Sequence, residues 1–528
     1  MKNGFFRVTS IIFKSIIFIL ICNSIITTQS LSSNYGGTLK IAYKDEPPSL
    51  NPLIEMSTIG ATLNNIIFDG LITLTPSGRV LPRLAKKWSV SDDGLAWTFY
   101  LNKNVKFHDG VKLKAEDVKF TYDSLLKSRD FKWKTVFKNV SSIEIIDDYT
   151  VRVKLKAPSS NFLSGLYYIG VVPKHILEKD PYNNIEFNRK PIGTGPFKLE
   201  SWKSGKEILL SANDKYFRGR PYLDQIRLLR ISDSSDIWRQ LELGKIDTAY
   251  NEMTAEDFQL LKRSPIISIY SIKDYMNYAI TFNLKNKKFH DERIRIALSA
   301  AIDRKEIIDK GLGGNGDECN GVFSPGSIDS PSKNQYDPEM SLELLHKMGY
   351  RDTDKDGILD RNGKKLSFNI LFDSNNILKK DVILIIQKQL MEIGVEITAK
   401  EVPVPEIFSR VLVGNYELIF SNFSTYLDMS ALSWNTESIR AGYNLSYYSN
   451  PKVDALFEKL MATGDPNRRK VIMTLIQKQM TLDVAGIFLF TRYNLVPMNK
   501  RIHGFNPASD QFIWEMARKF YIQDKKRK

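Results

Sequence analysis

An acidic segment near the middle of the chain has the spacing of a calcium loop. Asp352, Asp354, Asp356 and Gly357 occupy positions one, three, five and six of that motif. Position twelve, where a bidentate glutamate completes the coordination shell, is Gly363. Because the cation would lose two oxygen ligands, the sequence favours a polar turn over a calcium site. We therefore predict no bound metal, with a calcium loop as the alternative.

Two other patterns could indicate catalysis or cofactor binding. Gly311, Gly313 and Gly316 match G-x-G-x-x-G, but a predicted helix precedes them and no βαβ unit surrounds them, which favours a helix-terminating loop over a dinucleotide site. His108 is isolated in a His-Asp-Gly turn, where a structural or exposed role is expected. The sequence contains no Walker, H-E-x-x-H or G-x-S-x-G pattern. It thus predicts a protein that is not an enzyme and has no cofactor.

Length and composition indicate a soluble protein with more than one domain. The 528 residues are 42% hydrophobic and 26% charged, and they exceed the size of a single core. The net charge of +15 could suit nucleic acid, an anionic membrane or an acidic ligand. Lysine and arginine are spread along the chain, however, so we interpret the charge as diffuse surface lysines and predict no nucleic-acid partner.

The first thirty residues have the layout of a secretory signal. Three positive charges precede an apolar run at 15–26, and small polar residues follow it. We predict a signal peptide over residues 1–30 and a periplasmic mature protein. Lipid attachment at Cys22, with anchoring at the cell surface, is the less favoured alternative, because Ile21 stands where a small residue is preferred. Cys319 would be the one cysteine of the mature chain, so no internal disulfide is expected.

The stretch 191–231 has a specific order of turns, strands and aromatic residues. A GTGPF turn precedes an alternating strand with Trp202, a hairpin turn, a returning strand and Asn213. The run YFRGRPYLD then ends at Asp224. This order resembles the family 5 extracellular solute-binding proteins. These are the peptide, nickel and oligosaccharide receptors of ATP-binding cassette (ABC) importers.

Other blocks resemble the same family, at 85–126, 275–303 and 443–460. The resemblance implies an α/β fold of the periplasmic-binding-protein type II class. Two lobes would surround a ligand cleft, with an extra subdomain inserted in the first lobe. The predicted boundaries are the signal peptide at 1–30, lobe I at 31–265 with the insertion at about 61–190, lobe II at 266–490, and a C-terminal return to lobe I at 491–528. The chain would cross between the lobes at about 264–274 and 489–497.

By the same resemblance, the stretch 420–443 lines the cleft. Peptide receptors of the family hold the amino terminus of the ligand with an aspartate in an ADY-DP pattern. Thr425 takes that position here, and Asp428 takes the later one. The predicted ligand-binding residues are Asn51 in the LNP loop, Tyr275, Asn283, Tyr426, Asp428, Trp434, Arg440 and Tyr443. The aromatic residues of 420–443 could stack on a ligand and Arg440 could pair with a carboxylate or phosphate. Alternatively, these side chains pack the lobe.

The resemblance therefore predicts a substrate-binding receptor that captures a small solute, a peptide or peptide-like compound, by hinge closure. The ligand and the membrane permease of an ABC importer would be its partners, and the receptor would be a monomer. The alternatives are a receptor for a metal chelate or another non-peptide solute, and a surface adhesin or chaperone on the same scaffold.

Overall fold

The structure is a computed structural model. It describes residues 35–55, 57–74, 79–128, 137, 139–159, 162–323, 325–328, 336–373, 377–425, 427–507 and 517–523. The predicted signal peptide, Cys22 and Tyr426 lie outside the described residues. Within those ranges, no helix is both long and apolar enough to span a membrane.

The described strands, in chain order, are β1 Thr38–Tyr43, β2 Ile72–Leu74, β3 Val80–Pro82, β4 Ala85–Val90, β5 Ala96–Leu101, β6 Val140–Asp147, β7 Thr150–Leu155, β8 Phe197–Lys203, β9 Glu207–Ala212, β10 Gln225–Arg230, β11 Thr248–Tyr250, β12 Ile267–Phe282, β13 Gly316–Glu318, β14 Asp360–Arg361, β15 Lys364–Lys365, β16 Ser367–Asp373, β17 Glu396–Val402, β18 Leu418–Ser424, β19 Gly486–Asn499, β20 Ile502–His503 and β21 Tyr521–Ile522.

The described helices are α1 Thr58–Ile67, α2 Ala115–Lys127, α3 Phe162–Gly165, α4 Lys174–Leu177, α5 Ile185–Arg189, α6 Ser234–Glu242, α7 Ala255–Leu261, α8 Glu292–Ala300, α9 Arg304–Glu306, α10 Pro338–Lys347, α11 Ile377–Met391, α12 Val404–Val413, α13 Leu427–Trp434, α14 Pro451–Ala462 and α15 Pro466–Leu482. A π-helical turn lies at Ile307–Gly311, and 3₁₀ turns lie at Leu166–Tyr168, Lys287–Phe289, Glu437–Ile439 and Ala517–Lys519.

One eleven-stranded sheet runs through both lobes. Its order is β17-β16-β18-β12-β19-β11-β1-β10-β9-β8, and β13 pairs with β19. The two long strands β12 and β19 pair antiparallel along most of their length and provide the connection between the halves of the sheet. The register of this pair shifts between Lys273 and Asn277, which makes a bulge. A bulge bends a strand and interrupts its pairing. The junction of the lobes therefore lies where the sheet is bent and its pairing is interrupted.

The strand directions place the cleft. In lobe I, β1 is parallel to β10 and β11, so the carboxyl ends at Arg230 and Tyr250 share one edge with Tyr43. In lobe II, β16 is parallel to β17 and β18, and the carboxyl end of β18 lies beside Met276 of β12. The carboxyl edges of the two half-sheets thus face each other across the bulge. Ligands of open α/β sheets bind outside the carboxyl ends of the strands.

Separate hydrophobic cores confirm the two-lobe architecture. The largest core joins buried residues from Leu39 to Leu228 and a few from the C-terminal return, among them Met498 and Phe520. Two other cores contain only residues between 278 and 490. A four-stranded sheet, β4-β5-β7-β6, stands apart from the main sheet as the inserted subdomain. The numerical boundaries of the lobes stay predictions, because β12 and β19 belong to both.

The GTGPF turn is a scaffold that packs against the end of α1. A Cβ atom on Gly193 would lie 1.9 Å from the carbonyl oxygen of Ile67, and one on Gly195 would lie 2.3 Å from that of Ile66. Such distances are far below van der Waals contact, so no larger residue fits without moving the backbone. The two glycines thus allow the turn to touch the helix directly.

A buried ion pair holds the same turn from the other side. Asp69 is fully buried and pairs with Arg83, whose side chain is 5% exposed. The hydroxyl of Thr194 donates to Asp69 at 3.0 Å, and that of Tyr216 donates to it at 2.9 Å. The carboxylate therefore has a partner for each oxygen, which is what makes a buried charge tolerable.

His108 has the structural role expected for it. Its Nδ1 accepts the Gly193 N–H at 3.2 Å, and its Nε2 lies 3.0 Å from the Gly195 carbonyl oxygen, which fixes Nε2 as the donor. Burial lowers the pKa of His108 to about 4. The neutral imidazole thus closes the GTGPF turn with one donor and one acceptor.

Gly195→Ala is expected to lower the free energy of unfolding by about 1–3 kcal/mol, because the added methyl group overpacks the turn against α1. Urea unfolding followed by circular dichroism measures the change. Gly464→Ala is the matched control, since a Cβ there meets nothing within 4 Å. Equal stability of the two variants would contradict the scaffold role.

Stability should fall at mildly acidic pH through His108. The unfolded chain binds the proton with an ordinary pKa of about 6.5, whereas the folded ring does so near 4, so the contribution is full above about pH 6.5 and is lost as the pH falls towards 4. We expect wild type to lose about 2 kcal/mol more than His108→Gln between pH 7 and pH 4.5. Chemical unfolding at a series of pH values checks this, and parallel pH profiles would refute it.

Candidate functional site

An ion-pair group lies at the junction of the lobes. Arg492 of β19 is in the register gap opposite the β12 bulge. Its Nη2 lies 3.0 Å from Oε1 of Glu252, and its Nε lies 3.3 Å from Oδ2 of Asp274. Glu252 follows β11 in lobe I, and Asp274 lies within the bulge of β12. One guanidinium therefore links the carboxyl edge of lobe I to the crossing strand.

Arg492 stays charged although its side chain is only 19% exposed. Burial by itself would lower the pKa of the guanidinium. The nearby Tyr278 hydroxyl, Glu252 and Asp274 outweigh that effect, and the pKa of Arg492 is raised above its ordinary value. The arginine is therefore a fixed positive charge between two carboxylates.

A second ion pair lies at the facing edge of lobe II. The Lys379 side chain in α11 is 4% exposed and pairs with Asp373 at the end of β16. Its ammonium also donates to Oδ1 of Asn422 at 3.0 Å. Burial lowers the pKa of Lys379, and Asp373 opposes that shift. This lysine is enclosed by its partners, so its charge is balanced locally.

Tyr278 of β12 lies between the two ion pairs. Its ring stacks on Phe490 with 4.8 Å between centroids, and the Arg492 guanidinium is 5.9 Å from its ring. Burial raises the pKa of Tyr278 to about 12; Arg492 opposes the shift, and Asp274, Glu252 and Asp373 add to it. The residue is 2% exposed, and its hydroxyl makes no hydrogen bond to the described residues. The Tyr278 side chain thus lies among the charged groups.

We call Glu252, Asp274, Asp373, Lys379 and Arg492 the junction cluster. It holds three carboxylates and two cations, which leaves one net negative charge. None of its members is a nucleophile beside a general base. The arrangement can therefore position a charged group of a ligand between the lobes, and its chemistry is that of binding.

Two of the predicted ligand-binding residues lie at the cleft edge. Tyr275 is in the β12 bulge and is partly exposed; its carbonyl oxygen accepts hydrogen bonds from the backbone N–H of Thr425 at 2.8 Å and from the Thr425 hydroxyl at 3.0 Å. The backbone of Asp428 is in the first turn of α13, which begins beside this edge, and its side chain is not described. Thr425, an uncharged residue, thus lies beside Tyr275 at this edge.

Asn51 anchors the LNP loop. Its amide nitrogen donates to the Pro181 carbonyl and to Oδ1 of Asn188, both at 2.9 Å, and its Oδ1 accepts the Leu53 N–H at 3.0 Å. The residue is fully buried. In this conformation its side-chain amide is hydrogen-bonded to the inserted subdomain and to the LNP loop.

Asn283 lies away from the carboxyl edge of lobe II, and Trp434 is buried within the lobe. Asn283 donates to the carbonyl oxygens of Gly414 and Tyr416 at 3.0 and 2.8 Å, near the opposite end of β18. Trp434 is 1% exposed and packs on Phe423, with 5.3 Å between ring centroids. Both side chains support the lobe, and no ring face of Trp434 is open in this conformation.

Arg440 and Tyr443 follow α13 on the same distant side. Arg440 is exposed. The backbone N–H of Tyr443 donates to the carbonyl of Ser438 at 3.2 Å, and the neighbouring Gly442 faces Leu412 of α12. Of the described residues of the stretch 420–443, Thr425 lies beside the cleft edge, whereas Tyr443 packs near α12. The ligand contacts of all eight residues stay predictions.

The junction cluster was not predicted from the sequence, although one of its residues stands out there. Arg492 is the one charged residue of β19, and it follows the apolar run at 486–490. Glu252 and Lys379 give no such signal, because exposed glutamates and helical lysines are common. Their importance depends on which strand ends face each other.

The acidic segment near residue 352 is an exposed turn. The carboxylates of Asp352, Asp354 and Asp356 are exposed, with ligand atoms within 4.8 Å of one another. The Lys365 ammonium pairs with Asp356 and lies 3.4 Å from Asp354. The lysine thus supplies positive charge to this group of carboxylates.

Solved structures of other proteins share this architecture. The chain is 31% identical to the oligopeptide-binding protein AppA of Bacillus subtilis (strain 168) over 495 residues, which cover 90% of each protein. The solved structure of that AppA, in complex with a nonapeptide, has a TM-score of 0.76 and 30% identity, and covers 93% of this chain and 99% of its own. The structure of NikZ from Campylobacter jejuni, in complex with Ni(L-His), has a TM-score of 0.78 and 26% identity, and covers 93% and 100%.

A family model described as "Bacterial extracellular solute-binding proteins, family 5 Middle" matches residues 79–453. The match spans most of the inserted subdomain, the first crossing into lobe II and the strands β16, β17 and β18, and it ends before β19. Together with the similarity to AppA over nine-tenths of the chain, it shows the family. The chain belongs to the family 5 extracellular solute-binding proteins.

Proposed function

We propose that this protein is the substrate-binding receptor of an ABC importer. It captures a peptide or peptide-like solute by hinge closure and delivers it to the membrane permease. The observation that carries the proposal is the pair of opposed carboxyl edges with the junction cluster between them. The similarity to AppA, whose structure holds a nonapeptide, supports peptides as the ligand class.

Closure has a physical basis in the two crossing strands. Among the described strands, β12 and β19 join the half-sheets, and the pairing of these strands is interrupted at residues 274–276. Small backbone rotations there move the lobes as rigid bodies. A ligand that contacts both edges is bound more tightly in the closed form, so it shifts the population towards closure.

Secretion and monomeric action complete the proposal. The signal peptide at 1–30 would direct the chain to the periplasm and be removed there, and the mature receptor would act as a monomer without a nucleic-acid partner. Membership of an extracellular family supports this location. Lipid attachment at Cys22 remains the alternative.

A second candidate is a receptor for a metal chelate. The similarity to NikZ with its Ni(L-His) ligand favours this reading, and Thr425 removes the carboxylate that peptide receptors place at the cleft. An adhesin or chaperone on the same scaffold is the other alternative.

The ligand should be identified on protein purified without refolding. Native mass spectrometry is expected to show one peptide of stoichiometric amount per chain. Added back at about 100 times its dissociation constant, that peptide should raise the free energy of unfolding by about 2.7 kcal/mol. A bound metal chelate would favour the second candidate. No stabilisation by peptides, metallophores or sugars would refute the receptor proposal.

The processing of the leader should be read from the mass of the secreted chain. We expect the mature protein to begin after Ser30 and to be recovered in the periplasmic fraction. Cys22→Ser should change neither result. A membrane-bound product whose first residue is an acylated Cys22, lost in the Cys22→Ser variant, would establish lipid attachment.

A further inference from the structure

We propose that the junction cluster receives a protonated amine of the ligand, either its amino terminus or a basic side chain. This inference rests on the proposed function and names the chemical group that the cleft recognises. The amine would be held by Glu252 and Asp274, with the Tyr278 hydroxyl as a third acceptor.

The charges of the cluster favour a cation. Lys379 is enclosed by Asp373 and Asn422, so that ion pair is balanced. The remaining three groups are Arg492 and two carboxylates, and they carry the surplus negative charge. A carboxylate from a ligand would add a further negative charge to this group, whereas an ammonium would neutralise it.

The surplus charge is also accessible. The Glu252 side chain is 51% exposed and has one described ion-pair partner, Arg492. Asp274 is 14% exposed and shares the same arginine at 3.3 Å, which is long for a charge-assisted hydrogen bond. Both carboxylates therefore retain lone pairs that a ligand can use.

Tyr278 provides an independent observation. Its side chain is almost fully buried among these charges, and its hydroxyl makes no hydrogen bond to the described residues. A hydroxyl oxygen that accepts no hydrogen bond from the described residues can accept one from a ligand donor. An ammonium has three donors, which match two carboxylates and one phenol oxygen.

The location couples recognition to closure. Glu252 belongs to the edge of lobe I, whereas Asp274 lies within the bulge of the crossing strand and Tyr278 follows the bulge. A cation held by Glu252 and by the crossing strand therefore contacts the part of the molecule that bends. At the lobe II edge, Thr425 presents no charge, and its hydroxyl and N–H both donate to Tyr275.

Three libraries of random peptides with uncharged side chains test the proposal. The first has free amino termini, the second has acetylated amino termini, and the third is acetylated but contains one internal lysine. Native mass spectrometry selects binders to the full mature protein, and calorimetric titration of one selected sequence in each form gives its affinity. Loss of the amine should weaken binding at least about tenfold, and recovery with the lysine form would show that a side-chain amine is accepted.

Matched variants locate the effect. Glu252→Gln should weaken binding of the amine-bearing peptide by about tenfold or more and leave the acetylated peptide unchanged. Asp274→Asn is a second variant with the same expectation. Glu256→Gln is the control, because it removes the same charge from an exposed position four residues away, outside the cluster. Thermal unfolding confirms that each variant is folded.

The outcomes separate the two proposals. Equal affinity of wild type for free and acetylated peptides would overturn the amine site while leaving peptide capture intact. The same would follow if Glu252→Gln behaved like Glu256→Gln. Failure of every library to bind would overturn the proposed function itself, and the amine site with it.

Discussion

The antiparallel pairing of β12 with β19 is the constraint on which the rest of the structure depends. It makes one sheet out of two half-sheets, so the lobes cannot separate, and its bulge leaves the junction free to bend. Because all other strands of a half-sheet stay within one lobe, each lobe can pack its own core and move as a unit. The same pairing brings Arg492 and Asp274 to the junction, which is where the charged groups of both lobes meet.

Lobe I also contains a network of polar contacts at some distance from the cluster. The Asp69–Arg83 pair, the GTGPF glycines and His108 tie the turn after residue 191 to the end of α1. This network contains strong donors and acceptors and yet has no exposed reacting atom. Its buried charges are satisfied, which suits a scaffold, whereas the surplus charge and the unpartnered hydroxyl are found at the junction.

Much of the fold could be predicted from the sequence because it depends on local patterns. Alternation at Leu39, Ile41 and Tyr43 predicts β1, and α2 begins where Asp117 accepts the Lys114 N–H, as the acidic start of that helix indicated. The order of turns and aromatic residues at 191–231 was long enough to indicate the family. The predicted crossings also overlap β12 and β19, although both strands extend farther, since pairing with each other stabilises residues that a short apolar run does not mark.

The site was harder to predict, for a physical reason. Sequence shows which side chains are aromatic or charged, and on that basis Trp434 and Arg440 are reasonable ligand contacts. Whether a side chain meets the cleft depends on which end of a strand or helix it occupies and which edge that end faces. Trp434 is the last residue of α13 and packs into a core of lobe II. Glu252 and Lys379 become important only because strand directions bring distant carboxyl ends together. The residue types and the family could thus be recognised from the sequence. The junction cluster depends on the tertiary structure, because ion pairs form between residues that are neighbours in space.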